Sequence, residues 1–227
     1  MSTTYPKING LYKRDEKGKI LDEYSRPEFS YLAELPWQWT EKVDGTNIRL
    51  TYEGGFFRGS EHRFVGGRTD KAQIPPKLLN ACVEILRAAP LEDVFPETTT
   101  DPSAPAVVLY GEGYGAGIQK GGGNYRPDAG FVLFDVRVGP HWLSRENVVD
   151  VAEKLGIDVV PLVHFNTMLG VENCAPIDFA EYAVMNGEIV SQWPGVNPEG
   201  IVGRPLVPLF TNKGERITVK IKRKDYA

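Results

Sequence analysis

The stretch TEKVDGTNIRL, residues 40–50, places Lys42, Asp44 and Asn47 where an apolar strand pattern runs into an Asp-Gly turn. Asp-Gly commonly joins two strands, and a lysine beside such a turn is usually a solvated surface residue. Aromatic and β-branched residues on both sides, punctuated by glycines, predict one antiparallel meander. Its predicted strands are residues 37–43, 47–54 and 55–65. The stretch alone therefore leaves two interpretations of Lys42, a surface residue or a nucleophile.

Length and composition indicate a globular protein: the chain has 227 residues, of which 41% are hydrophobic and 25% are charged. No apolar run reaches the ~18 residues of a membrane span, and no signal peptide is recognisable, so we expect a cytoplasmic protein. Cys82 and Cys174 have no partner at a ligand spacing, which favours core positions over a zinc site. The net charge of −4 argues against a protein that coats nucleic acid through a general positive field.

Apolar residues at helical spacing predict three helices. In residues 75–89, the predicted buried stripe is Leu79, Cys82, Val83 and Leu86. In residues 144–156, Ser144 is the predicted N-cap and Gly156 the stop, and the stripe is Val148, Val151, Ala152 and Leu155. A shorter helix over residues 178–185 begins with Asp178 and Glu181 in the spacing of a capping box.

Further apolar strands are predicted on both sides of the second helix. They cover residues 106–112, 130–138, 200–205 and 216–223. Because strands and helices do not alternate strictly, the pattern favours an α+β fold with antiparallel sheets over a doubly wound parallel sheet. No linker separates two domains, so we expect a single domain over residues 1–227.

The glycine-dense segment YGEGYGAG, residues 110–117, resembles a dinucleotide-binding fingerprint. That fingerprint requires a helix immediately after it, and the following IQKGGGNY cannot form one. The glycines are better explained by a backbone that packs closely around a ligand or a tight turn, with Glu112 held at the end of a strand.

Several charged residues stand where the strand pattern expects apolar or turn residues. They are Glu41, Lys42, Glu112, Glu199, Lys220 and Lys222. Each has an ordinary explanation alone, such as the edge protection that alternating lysines give a strand. If the strands converge, however, the cluster is costly to assemble unless a metal and a phosphate complete it.

Such a cluster suits the attack of a lysine on a nucleoside triphosphate. A lysine amine is nucleophilic only when it is neutral, and neighbouring positive charge favours that form. Carboxylates would hold a divalent metal, while Lys220 and Lys222 would neutralise charge on the phosphates. Phe134 offers an aromatic face for a base.

With these residues identified, the sequence resembles the covalent nucleotidyltransferase superfamily of DNA ligases, RNA ligases and mRNA capping enzymes. The K-x-D-G motif is present as KVDG, and the longer TEKVDGTN resembles the branch of phage double-strand-break RNA ligases and editing ligases. Further motifs follow in the family's order over residues 37–226. They are FFRGSEHRFVGGRTD with Arg58 or Arg68, LYGEGYGAGIQKGGG with Glu112, FVLFDV with Phe134, and PEGIV with Glu199 followed by VKIK with Lys220 and Lys222.

The resemblance implies a nucleotidyltransferase core of two antiparallel sheets and an ATP-dependent RNA ligase. Lys42 would attack ATP and form lysyl-AMP, AMP would pass to a 5′-phosphate end, and a 3′-hydroxyl would then displace it. The implied nucleotide-binding residues are Glu41, Lys42, Asn47, Glu112, Phe134, Lys220 and Lys222, of which the three lysines are catalytic. Arg58 or Arg68 would bind RNA, and Asp44, Glu112 and Glu199 would position Mg²⁺ or Mn²⁺.

The chain ends shortly after the last motif, so we expect the family's C-terminal OB or helical domain to be missing. A partner protein, or the N-terminal segment 1–36, would then supply the absent contacts. The alternatives are a DNA or nick-sealing ligase, a GTP-using capping-type enzyme, and an adenylation subunit that needs a partner to join ends.

Overall fold

The computed structural model describes residues 3–53, 62–100, 104–163, 165 and 175–226. The chain forms two compact units: unit 1 comprises Met1–Pro6 and Asp44–Val160, and unit 2 comprises Lys7–Val43 and Pro161–Ala227. The chain passes from unit 2 back to unit 1 between Val43 and Asp44, inside the K-V-D-G stretch. Whether both units act as one domain, as the sequence predicts, stays a prediction.

Strands and helices are mixed along the chain, which confirms the α+β class. The strands are β1 (Asn9–Gly10), β2 (Tyr12–Arg14), β3 (Ile20–Tyr24), β4 (Trp37–Lys42), β5 (Thr46–Tyr52), β6 (Arg63–Gly67), β7 (Val107–Tyr114), β8 (Gly130–Val138), β9 (His141–Trp142), β10 (Gly200–Pro205) and β11 (Val219–Lys222). The helices are α1 (Pro27–Tyr31), α2 (Pro76–Ala88), α3 (Leu91–Val94), α4 (Pro96–Thr100), α5 (Arg145–Leu155) and α6 (Pro176–Met185). Within the described part of the chain, none of these helices has the length and apolar character needed to cross a membrane.

Unit 1 is built on a five-stranded antiparallel sheet in the order β6-β5-β7-β8-β9. One face of this sheet carries Ile48, Leu50, Leu109 and Leu133, which are fully buried in a core shared with α2 and α5. The alternate residues of the same strands, such as Asn47 and Glu112, lie on the opposite face.

Helix α5 matches its prediction residue by residue. The Ser144 hydroxyl accepts a hydrogen bond from the Asn147 backbone N–H, and Gly156 ends the helix in the left-handed conformation at φ 65°. Its four predicted stripe residues are all buried. The stripe predicted for α2 is wrong at Leu79, which is 37% exposed. The buried residue is Leu78, whose side chain packs over Gly113 of β7.

Unit 2 contains a four-stranded sheet in the order β1-β11-β10-β4 and a separate hairpin of β2 and β3. The β1–β11 pair is parallel and the other pairs are antiparallel. The core contains Trp39, Ile201 and Ile221 from the sheet and Ile177 from α6. The capping box predicted for α6 is wrong, because the helix begins at Pro176 and no side chain caps it.

The strands on either side of Asp44-Gly45 belong to different sheets. β4 pairs with β10, whereas β5 pairs with β6 and β7. The predicted meander is therefore wrong at this point, and Asp44-Gly45 is a bend between sheets rather than a hairpin turn. A Cβ at Gly45 would lie 2.3 Å from the Gly113 carbonyl oxygen, so only glycine permits this close approach to β7.

Candidate active site

Lys42, the last residue of β4, lies in a charged cluster in unit 2. In the sheet register, Gly200 on β10 is opposite both Lys42 on β4 and Lys222 on β11. The preceding residue, Glu199, forms ion pairs with both lysines: Lys42 Nζ contacts Oε2, and Lys222 Nζ lies 3.0 Å from Oε1. Residues separated by more than 150 positions in the sequence thus meet around one carboxylate.

The close approach of β10 to β11 depends on the absence of a side chain at Gly200. An added Cβ would lie 2.0 Å from the Ile221 carbonyl oxygen and 2.8 Å from the Lys222 Cα. Glycine at this position therefore lets Glu199 sit between the two lysines.

Electrostatics in the cluster are dominated by positive charge. Burial, together with the charges of Lys222, Lys42 and Lys7, lowers the pKa of Lys220 to about 8, against a weaker opposing effect of Glu199. Burial alone would raise the pKa of the Glu199 carboxyl, but its lysine partners outweigh burial and hold that pKa below its usual value. The cluster is thus suited to a ligand of high negative charge.

Glu41 lies next to Lys42 in sequence, but its side chain belongs to the other face of β4. Neighbouring strand residues point to opposite faces, and Glu41 is paired across the sheet with the core residue Ile201. Glu41 is 3% exposed, and its Oε1 accepts a hydrogen bond of 2.9 Å from the Ser191 hydroxyl. Burial raises the pKa of this carboxyl, and Ser191 and the Gln192 backbone partly oppose the rise.

Unit 1 holds the remaining predicted site residues that the structure describes. Asn47 on β5 is directly opposite Glu112 on β7, so the two side chains share the face of the sheet that points away from the helices. Asn47 Oδ1 is buried and has no hydrogen-bond partner among the described residues. It is therefore an acceptor that a ligand or a bound water would satisfy.

The Asp44-Gly45 bend is held by two residues that the sequence analysis did not single out. Gln119 Nε2 donates a hydrogen bond of 3.0 Å to the Gly45 carbonyl, and the Tyr125 hydroxyl lies 3.4 Å from the Asp44 backbone nitrogen. Both residues belong to the glycine-dense segment and its continuation. The glycines of that segment predicted close packing, but not that its residues would contact the Asp44-Gly45 bend.

Phe134 occupies a β-bulge. Between β7 and β8 the pairing shifts from Tyr110↔Asp135 to Gly111↔Leu133, which leaves Phe134 as the extra residue of β8. Among the first seven residues of β8, Phe134 alone is partly exposed and the others are buried. Bulges re-aim side chains and are frequent beside active sites.

The two arginine candidates differ in what can be described. Arg68 follows β6 and is exposed on the surface of unit 1. Arg58 lies outside the described residues, so its predicted role stays a prediction.

The described residues offer oxygen donors of the kind that Mg²⁺ takes together with a nucleotide. Among the residues described, no three His, Cys, Asp or Glu side chains converge on a point that could hold a metal ion. Mg²⁺ is commonly bound through one or two carboxylates together with substrate phosphates and waters. Glu199 in unit 2, and Glu112 with the unsatisfied Asn47 oxygen in unit 1, provide oxygen ligands of that kind.

A family model described as RNA ligase matches residues 35–222, which include every element of the charged cluster. The chain belongs to the RNA ligase family. No curated protein matches it by sequence.

Solved RNA ligases share the fold. An RNA ligase of Naegleria gruberi, solved as a mutant with ATP and Mn, has a TM-score of 0.57 at 17% identity and covers 98% of this chain. The same ligase with PPi gives 0.57 at 18% identity over 98% of the chain. An archaeal ATP-dependent RNA ligase gives 0.54 at 18% identity, again over 98%. These similarities confirm the ligase nucleotidyltransferase fold.

The chain spans only part of those ligases. It covers 62% of the Naegleria chain in both of these structures and 49% of the archaeal chain.

Proposed function

We propose that this chain is an ATP-dependent RNA ligase that works through a lysyl-AMP intermediate on Lys42. The observation that carries the proposal is the convergence of Lys42, Glu199, Lys220 and Lys222 in unit 2 of a chain that belongs to the RNA ligase family. Three lysines around one carboxylate leave an excess of positive charge for a triphosphate.

In the first step, Lys42 Nζ in its neutral form attacks the α-phosphorus of ATP. A nitrogen–phosphorus bond forms, the bond from that phosphorus to the bridging oxygen of pyrophosphate breaks, and pyrophosphate leaves. The ammonium that donates to Glu199 must lose one proton before attack, and the same nitrogen loses a second proton as the phosphoramidate forms; both protons pass to solvent. Lys222 remains paired with Glu199, so the carboxylate keeps a partner when Lys42 moves to phosphorus.

The remaining lysines stabilise the phosphates. Lys220 and Lys222 point to the same face of β11. Lys42 on β4 lies on that face of the sheet too, because Gly200 is opposite both Lys42 and Lys222. Positive groups fixed before the reaction stabilise the charge that develops on the leaving pyrophosphate. A divalent cation would add charge neutralisation when bound with ATP. In unit 2 Glu199 would supply an oxygen ligand, and in unit 1 Asp44 and Glu112 would supply oxygen ligands.

In unit 1, Phe134 would stack on the adenine, and Glu112 with Asn47 would bind the ribose and hold the metal directly or through water. Glu41 contributes to adenine binding through its backbone, because its side chain is buried on the other face of β4. Arg58 or Arg68 would guide the RNA end.

In the second and third steps, the 5′-phosphate of an RNA end displaces Lys42 from AMP, and a 3′-hydroxyl then displaces AMP to form the phosphodiester. Structures of the Naegleria ligase contain ATP with Mn or AMP with Mn, which supports ATP and a divalent metal as ligands in this proposal.

The test is covalent labelling of the purified protein by α-labelled ATP with Mg²⁺ or Mn²⁺. We expect Lys42→Ala to abolish the label and Lys213→Ala, an exposed lysine of the same unit, to keep it. Equal labelling of Lys42→Ala and the unsubstituted protein would refute the lysyl-AMP step. Competition by GTP, followed by 5′-phosphorylated RNA and DNA substrates, separates RNA sealing from capping and from DNA sealing.

A further inference from the structure

The N-terminal segment Thr3–Tyr5 lies across the polar face of the unit 1 sheet. The Tyr110 hydroxyl donates a hydrogen bond of 2.9 Å to the Thr3 carbonyl, and the Arg49 guanidinium donates to the Thr3 hydroxyl. The Tyr5 hydroxyl donates to Asp135 Oδ2 at 2.8 Å. This buried hydrogen bond joins residues 130 positions apart and fixes the Tyr5 ring, which is only 4% exposed.

The Tyr5 ring packs against Phe134. The ring centroids are 5.1 Å apart and the planes meet at 68°, which is an edge-to-face arrangement. Phe134 is the extra residue of the β8 bulge, so no residue of β7 is paired opposite it. Its ring plane is therefore set by neighbours such as Tyr5 rather than by the ladder.

We propose that Tyr5 is a positioning residue that orients the Phe134 ring for stacking on the adenine of ATP. The inference rests on the proposed function, because it assigns the base to Phe134. The Phe134 side chain is partly exposed, so part of its ring is accessible to a base. The hydrogen bond to Asp135 fixes Tyr5, and Tyr5 in turn fixes Phe134.

Two substitutions separate the ring of Tyr5 from its hydroxyl. Tyr5→Leu removes the ring, and we expect the KM for ATP in lysyl-AMP formation to rise roughly two- to tenfold with kcat unchanged. Tyr5→Phe keeps the ring but removes the hydroxyl that donates to buried Asp135, so it should destabilise unit 1 while the KM for ATP stays near the original value. A purely structural role would make KM follow stability in both variants.

Tyr52→Leu is the matched control. Tyr52 is a buried tyrosine on the same sheet, but it belongs to the core shared with the helices. We expect this variant to lose stability without a change in the KM for ATP.

A double-mutant cycle with Phe134→Leu tests whether Tyr5 acts through Phe134. In the Phe134→Leu background, Tyr5→Leu should raise KM no further. The inference is overturned if Tyr5→Leu leaves KM unchanged, if its effect multiplies fully with that of Phe134→Leu, or if Tyr52→Leu raises KM equally.

The same cycle, carried out on Lys42→Ala proteins with the ATP dissociation constant measured by calorimetry, separates this inference from the proposed chemistry. If the unsubstituted protein forms no lysyl-AMP but the cycle still shows coupling in ATP binding, the proposed function fails and the inference stands. If lysyl-AMP forms and neither measurement shows coupling, only the inference fails.

Discussion

The two units bury charged side chains in opposite ways. In unit 1, buried Arg49 donates to the Gly67 carbonyl at 2.6 Å and to Asp70 at 2.7 Å, and every such contact lowers the cost of burial. In unit 2, half-buried Lys220 lies among other lysines, and its pKa falls to about 8. Paired Arg49 therefore stabilises the fold. Lys220, in contrast, lies among charges of the same sign, and a bound polyanion would relieve their repulsion.

The largest expected effect is at the carboxylate that holds the lysines together. Glu199→Gln removes the charge that pairs with Lys42 and Lys222, so we expect lysyl-AMP formation to slow by roughly 100-fold or more. The rate is measured by single-turnover labelling. Glu215→Gln, which changes a largely exposed glutamate in the same unit, should leave the rate unchanged. A Glu199→Gln rate within threefold of the original would mean that the cluster is not the reaction centre.

In unit 1, removal of a matched charge should cost stability. Arg49→Met leaves the Gly67 carbonyl without its donor and Asp70 without its ion pair, so the free energy of unfolding should fall by about 2 kcal/mol. Urea denaturation followed by circular dichroism measures this change. Arg87→Met, at an exposed ion pair with Glu84, should stay within about 0.5 kcal/mol. If Arg49→Met and Arg87→Met lower the free energy of unfolding equally, the buried, paired arginine contributes no more than an exposed one.

In unit 2, removal of a crowded charge should have the opposite sign. Below pH 8, Lys220 is protonated in both the folded and the unfolded chain, and the folded state bears the full repulsion. Lys220→Met should therefore raise the free energy of unfolding at pH 7, on the order of 1 kcal/mol after solvent screening. The gain should shrink as pH rises from 8 towards 10.5, because folded Lys220 then loses its proton first.

Urea denaturation at pH 7 and pH 9.5 tests this prediction, with exposed Lys213→Met as the control. A Lys220→Met protein that is less stable than the original at pH 7 would show that Lys220 stabilises the fold in the absence of nucleotide. The crowded positive charge of unit 2 would then not be destabilising.

The smallest expected effect concerns how helices begin in the two units. Ser144→Ala removes the N-cap of α5 and should lower the free energy of unfolding by about 1 kcal/mol, while Ser144→Asp should preserve the cap. Thermal unfolding measures both. Ser30→Ala in α1 of unit 2 removes an exposed hydroxyl that caps no helix, and it serves as the reference. If Ser144→Ala and Ser30→Ala lower the free energy of unfolding equally, the N-cap of α5 does not stabilise unit 1.

Helix α5 was predictable in full because its signals are local. The Ser144 cap, the Gly156 stop and the buried stripe all lie within thirteen consecutive residues. In α2, adjacent leucines fit the helical period almost equally well. The sheet selected Leu78 over Leu79, because Leu78 packs where Gly113 leaves room.

The candidate site was predictable where residue types recur in a fixed order. KVDG, PEGIV and VKIK singled out Lys42, Glu199 and the two C-terminal lysines, which the structure brings together. Tyr5 carried no such signal, since its partners Phe134 and Asp135 lie about 130 positions away. Glu41 was placed beside Lys42 by sequence, yet strand alternation sends its side chain to the other face.

The sequence by itself determined the family, the candidate nucleophile and the helix whose cap and stripe are local, α5. Only the tertiary structure decided that β4 pairs with β10 and β5 with β7, and hence that Lys42 meets Glu199 while Asp44 begins another unit. The physical reason is that a strand offers the same backbone hydrogen bonds to every candidate partner. Its partner is chosen by burial and close packing between residues far apart in the chain, such as Gly45 against Gly113 and Gly200 against Ile221.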